Sequence, residues 1–201
     1  MRRTASSAPT AAAPVVGATV VSPLTAPGVK PKVLRINLDA RPENLDPQRA
    51  SSSAEFAILQ LVYEGLTRVD EKGEVLPGAA ERWEFSTDGK ILTFHVRAGL
   101  KRADGARLTA KDFESALKHL VDPRVGAPYA SFLDDVHGAL SAYSLDPKSK
   151  SEDIERALNN VGVKALDDST LVSSPTGGGQ ATFSLLKATP VKDQRESQVL
   201  R

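Results

Sequence analysis

Residues 88–105 read DGKILTFHVRAGLKRADG, an alternating run set between two Asp-Gly pairs. Asp-Gly flanked by apolar alternation is a strong tight-turn signal, because glycine enters the left-handed conformation without a side-chain clash. The chain is therefore predicted to reverse at Gly89 and again at Gly105. Between the turns, Leu92, Phe94 and Val96 fall on one side, and Thr93, His95 and Arg97 on the other. A strand with one apolar face needs a second layer to cover it. The following LTAKDFESALKHL supplies that layer. Thr109 stands at an N-cap with Asp112 at the capping-box position, and Phe113, Leu117 and Leu120 form a helical stripe. Asp122-Pro123 then stops the helix. Upstream, Trp83 and Phe85 alternate, so Asp88-Gly89 closes a hairpin.

Around this unit the pattern is mixed α/β (α+β). KVLRINL (Lys32–Leu38) predicts a short strand through Val33, Arg35 and Leu38, and RPENLDP a turn broken by Pro42 and Pro47. Phe56, Leu59, Tyr63 and Leu66 repeat at helical spacing after Ser51-Ser52-Ser53, with Gly65 at the exit. PYASFLDDVHGAL predicts one short helix. SEDIERALNNV predicts another, capped by Ser151, with Ile154, Ala157, Leu158 and Val161 inward. VKALDDSTLV reads as a hairpin around Asp167-Asp168.

The body is expected over residues 33–172. Residues 1–32 are rich in Ala, Pro, Ser and Thr; the first acid is Asp39 and the first aromatic Phe56. Such a segment has too little apolar surface to offset the entropy of ordering, and is expected to be a disordered tail. A degenerate signal peptide is the alternative reading of Arg2-Arg3, but Pro9, Pro14 and Pro23 interrupt any apolar core, so no clear signal peptide is found. Residues 173–201 diverge from the pattern: SSPTGGGQ is loop-like, ATFSLLKA fits one short helix, and TPVKDQRESQVLR is a polar tail, poorly ordered as a whole.

Composition narrows the chemistry. A net charge of +1 gives no reason to expect nucleic acid or an anionic membrane as partner. With no cysteine, disulfides, thiolate nucleophiles and cysteine-held zinc are excluded. No run of about 18 apolar residues is present, so no membrane insertion by a helix is expected. His95, His119 and His137 lack metal-ligand spacing, and no cofactor or metal is expected. Asp134-Asp135 and Asp167-Asp168 are paired acids. Acid–base catalysis needs carboxylates converging from different elements, so a helix surface and a turn are the simpler readings. No Gly-x-Ser-x-Gly occurs, and Gly177-Gly178-Gly179 lacks the Lys-Ser/Thr of a phosphate loop. The chain is not expected to be an enzyme; a small hydrolase using Asp134 and Asp135 is the rival from that class.

The order of elements is more specific than any of these motifs. The run from LVYEGL (61–66) through ALKHLVDP (116–123), preceded by LDP (45–47) and followed by APYASFL and VGVKALDDSTL, strongly resembles the family 5 extracellular solute-binding proteins over roughly residues 33–172. These are oligopeptide, dipeptide and nickel receptors of ABC importers. The resemblance implies the N-terminal portion of a two-lobed periplasmic-binding-protein fold, incomplete, in which the opening strand is frame. It implies non-catalytic capture of a peptide or other small solute between lobes, delivery to an ABC permease, and a periplasmic or extracellular location. It also implies ligand contacts by the backbone of Ser51, Ser52 and Ser53, paired with peptide like an added strand, and by the ring of Tyr129. From the residues alone, the serines equally suit a helix cap and Tyr129 suits core packing. Two departures stand out. Arg102 occupies a position where the family usually has tryptophan, and VSSPTGGGQATF replaces further apolar alternation. The length is that of a fragment or truncated copy of such a receptor. A folded remnant without ligand binding, and an interaction module using exposed edges, are the alternatives.

Overall fold

The computed structural model describes residues 35–38 and 40–176. The expected tail over 1–32, and the stretch from Gly177 onward including ATFSLLKA, lie outside the described residues.

The Asp-Gly hairpin forms as its sequence requires. Strands β3 (Ala80–Phe85) and β4 (Leu92–Val96) pair antiparallel, with Trp83 opposite Phe94 and Phe85 opposite Leu92. Gly89 takes φ +68° and Gly105 φ +84°, the left-handed values predicted for both turns. On its other side β4 pairs with β6 (Thr170–Ser173), Phe94 facing Leu171, and β6 pairs in turn with β5 (Val163–Ala165). The four-stranded order is β3-β4-β6-β5, all antiparallel. A separate ribbon is formed by β1 (Thr67–Val69) and β2 (Val75–Pro77).

Helix α2 (Ala110–Leu120) covers the inner face of the sheet. Its capping box forms: the Thr109 amide donates to the Asp112 carboxylate at 2.8 Å. Leu92, Phe94, Phe113, Leu117 and Leu171 are all completely buried in one core. Each such side chain contributes about 1.5–3 kcal/mol of burial free energy. Arg102, in place of tryptophan, projects outward and pairs with Asp112 at 3.3 Å and Asp104 at 3.9 Å.

Four expectations need correction. Arg35–Leu38 carry no strand; a strand needs a hydrogen-bonded neighbour, and no strand pairing reaches them among the described residues. Helix α1 runs Ser53–Val62 and ends before Tyr63, whose backbone is extended at φ −127°, ψ 151°. Leu66 is therefore buried by a different route: its carbonyl accepts the amides of Gly78 and Ala80, which draws it into the core beyond the helix. The glycine there that matters is Gly78, where a Cβ would stand 2.5 Å from the Gly65 carbonyl oxygen. Residues 128–140 do not form one helix. A 3-10 turn, η1 (Ala130–Leu133), is followed by α3 (Ala139–Tyr143), because left-handed Gly138 (φ +74°) breaks the path between them. Finally, α4 (Ser151–Asn159) has Lys150 at its cap position, so Ser151 is its first helical residue; Ile154 and Leu158 point inward as expected.

Candidate ligand-binding site

The loop ahead of α1 is organised by a side chain that the serine run alone did not disclose. Glu55 lies in the first turn of α1 and is only 3% exposed. Its Oε1 accepts the backbone N–H groups of Glu43 (3.1 Å) and Asn44 (2.9 Å), and its Oε2 those of Ser51 (2.8 Å) and Ser52 (2.9 Å). The Ser52 hydroxyl accepts in return from the Glu55 amide, completing a capping box. These donors, led by the Ser51 and Ser52 amides and then Asn44, outweigh burial and pull the Glu55 carboxyl down to about 2. The local signal was available: Ser52-Ser53-Ala54-Glu55 is a Ser-x-x-Glu box. The contribution of Glu43 and Asn44 was not readable locally, since they lie 12 and 11 residues away.

This geometry narrows what Ser51–Ser53 can offer. The N–H groups of Ser51 and Ser52 are committed to Glu55, and the Ser52 carbonyl accepts from the Phe56 amide. The Ser51 carbonyl and the Ser53 N–H have no partner among the described residues. Ser52 is thus the helix cap, and all three serines remain exposed.

Tyr129 is distant in sequence yet packs on the same helix. It precedes η1 and is half-buried. Its ring centroid lies 5.7 Å from that of Phe56, tilted by 51°, and 5.0 Å from that of Phe132, stacked within 24°. Phe56 sits in the first turn of α1, so the ring contact brings Tyr129 to the end of the helix that carries the serines. The Tyr129 hydroxyl makes no hydrogen bond among the described residues. Phe132 is 43% exposed. Together these groups present an aromatic surface, a free phenol and a few open backbone positions. They suit non-covalent binding, with no nucleophile and base aligned for bond making.

The other candidates are structural. His95 Nε2 meets Glu84 Oε1 at 3.0 Å on the outer face of the sheet. Asp134 accepts from the Tyr143 hydroxyl, which pushes that phenol up to about 12. The neighbouring Asp135 accepts the Thr176 amide through its carbonyl. Asp167 caps its own turn through the Ser169 amide and hydroxyl, and Asp168 pairs with Arg107 at 3.2 Å. The carboxylates of Asp167 and Asp168 therefore point to different partners, while the Asp135 contact is through its backbone. Among the described residues, no three His, Cys, Asp or Glu side chains cluster as a metal site, and no helix is long and apolar enough to cross a membrane. An open groove between α3 and α4, lined by residues including Ser141, Leu145, Arg156 and Asn160, shares no residue with the Tyr129 cluster, and its Arg156 is paired with Asp153.

The chain is similar to known proteins over about three quarters of its length. The chain is 37% identical over 160 residues to the Escherichia coli K12 protein described as "Probable deoxycholate-binding periplasmic protein YgiS", covering 80% of this chain and 28% of that one. It is 37% identical over 149 residues to the periplasmic oligopeptide-binding protein OppA of Haemophilus influenzae, covering 74% of this chain and 26% of OppA. The crystal structure of Haemophilus influenzae OppA in complex with RPPGFSPFR superposes with a TM-score of 0.64 at 34% identity, over 75% of this chain and 28% of that one. The unliganded open form of the periplasmic murein tripeptide-binding protein MppA gives the same TM-score at 32% identity, again over 75% of this chain and 28% of that one. The chain thus spans little more than a quarter of the length of these relatives, all of them binding proteins by description. The family model for bacterial extracellular solute-binding proteins, family 5 Middle, matches residues 74–198, and this chain belongs to that family.

Proposed function

We propose that this chain contributes one wall of a non-catalytic solute-binding site, with peptide as the solute, in a receptor that serves an ABC-type importer outside the cytoplasmic membrane. Family membership supports the class of function. The observation that carries the site is the contact of Tyr129 with Phe56, which gathers Tyr129 and the Ser51–Ser53 end of α1 on one flank of the fold. The frame built by β3, β4, β6 and α2 holds that flank in place and contributes no ligand group of its own. A receptor of this kind buries most of its solute between two walls and closes about a hinge.

One wall gives weak binding. A hydrogen bond on an open face nets about 0.5–1.5 kcal/mol, while association costs several kcal/mol in lost freedom. Calorimetry of the 201-residue chain against short peptides is expected to show affinity no tighter than about millimolar, near −4 kcal/mol. Micromolar peptide binding that survives Tyr129→Ala would place the site elsewhere.

A further inference from the structure

We infer that the wall beside α1 recognises a flat apolar side chain of a bound peptide, and that Phe132 is the residue that selects it. The inference rests on the peptide-binding reading above and adds a residue and a ligand chemistry to it.

The argument begins with what the wall lacks. Backbone pairing with a peptide requires free N–H groups, and those of Ser51 and Ser52 are taken by the Glu55 carboxylate. Main-chain recognition here is reduced to the Ser51 carbonyl, the Ser53 N–H and the Tyr129 hydroxyl. A peptide carbonyl or carboxylate therefore finds few donors at this wall.

What the wall offers instead is ring surface. Tyr129 is engaged by two rings, Phe56 and Phe132, so much of its own surface is occupied. Phe56 is half-buried. Phe132 is the member that remains open, at 43% exposure, and its stacking on Tyr129 fixes its orientation. An ordered, exposed aromatic ring on a stacked support loses little freedom when another ring packs on it. Aromatic pairs favour offset-stacked or edge-to-face contact with centroids about 4.5–7 Å apart. The occupant that matches this surface is an aromatic side chain presented by an extended peptide.

The test uses the full 201-residue chain and two probes, Ala-Phe-Ala and Ala-Ala-Ala, with affinities read from amide chemical-shift titration. Wild type is expected to prefer the aromatic peptide by about threefold to tenfold. Phe132→Ala is expected to abolish the preference, and Phe132→Leu to restore only part of it. Phe85→Ala, which removes an exposed ring at the edge of the sheet, is expected to leave the preference intact. Equal affinity for the two peptides in wild type, or a preference that persists in Phe132→Ala, would overturn the inference and leave the peptide-binding reading standing. No shift with either peptide at tens of millimolar would overturn both. Deoxycholate binding more tightly than either peptide, and lost in Phe132→Ala, would overturn the assignment of this surface to a peptide side chain.

Discussion

The sheet with α2 and the flank around α1 use similar apolar side chains to opposite ends. In the first, Leu92, Phe94, Phe113, Leu117 and Leu171 are wholly buried, and the apolar inner face of the sheet is covered by α2. In the second, α1 is apolar on nearly all sides, with Phe56, Ile58, Leu59, Leu61 and Val62, yet it buries only Ala54, Glu55 and Leu59. Leu61 is 39% exposed and Phe132 43%. A helix that is apolar all round is normally buried. The sheet region is finished as a core, whereas the α1 flank is tied by polar and ring contacts and keeps large apolar side chains exposed. The first arrangement provides stability and the second provides a surface.

The largest expected difference is in stability. Phe94→Ala should cost about 3–5 kcal/mol in urea unfolding, because a fully buried ring leaves a cavity. A cost below about 1 kcal/mol would mean that the sheet region is not the core argued here. On the flank, a double-mutant cycle between Phe56 and Tyr129 should give a coupling of about 0.5–1.5 kcal/mol, the ring–ring contribution alone. Zero coupling would separate Tyr129 from α1 and dissolve the shared flank.

A finer contrast lies in pH. Glu55 titrates well below its ordinary value of 4.5, at about 2. Its contribution is therefore fully present above pH 4.5 and is lost as pH falls from there toward 2. Over that window, protection of the Asn44, Ser51 and Ser52 amides, measured against their intrinsic exchange rates, should fall, while that of Phe94 and Leu171 in the sheet is kept. Glu55→Gln should show faster exchange at those loop amides already at neutral pH. Uniform loss of protection across both regions would show that the flank and the core open together.

The two regions were also unequally legible in the sequence. Period-two alternation at Leu92, Phe94 and Val96, the Asp-Gly turns and the Thr109–Asp112 box are all local signals, and the structure follows each of them. The hairpin of β5 and β6 was legible for the same reason. The flank depends on meetings between distant residues. Glu55 gathers amides from two stretches of loop, and Tyr129 finds Phe56 across about half of the described residues. Residues 128–140 misled because Tyr129, Leu133 and Leu140 fit helical spacing, while left-handed Gly138 splits the segment; a Cβ there would lie 2.6 Å from the Asn160 carbonyl oxygen. Leu66 fitted the α1 period but owes its burial to the returning strand at Ala80. Family resemblance supplied Ser51–Ser53 and Tyr129 as a pair. The structure adds the physical link between them, and shows that two of the three serine amides are already engaged.

The division into a closed frame and an open flank, proposed to face the ligand, is tested most directly by mapping where peptide touches the chain. Ala-Phe-Ala would be titrated into the isotope-labelled 201-residue protein, and every backbone amide shift followed. The account predicts weak binding, about millimolar, with shifts concentrated at Ser51–Ser53, Phe56, Tyr129 and Phe132, and none in β4 or α2. Shifts centred on the outer face of the sheet, at Thr93, His95 and Thr170, with the Tyr129 flank silent, would contradict it.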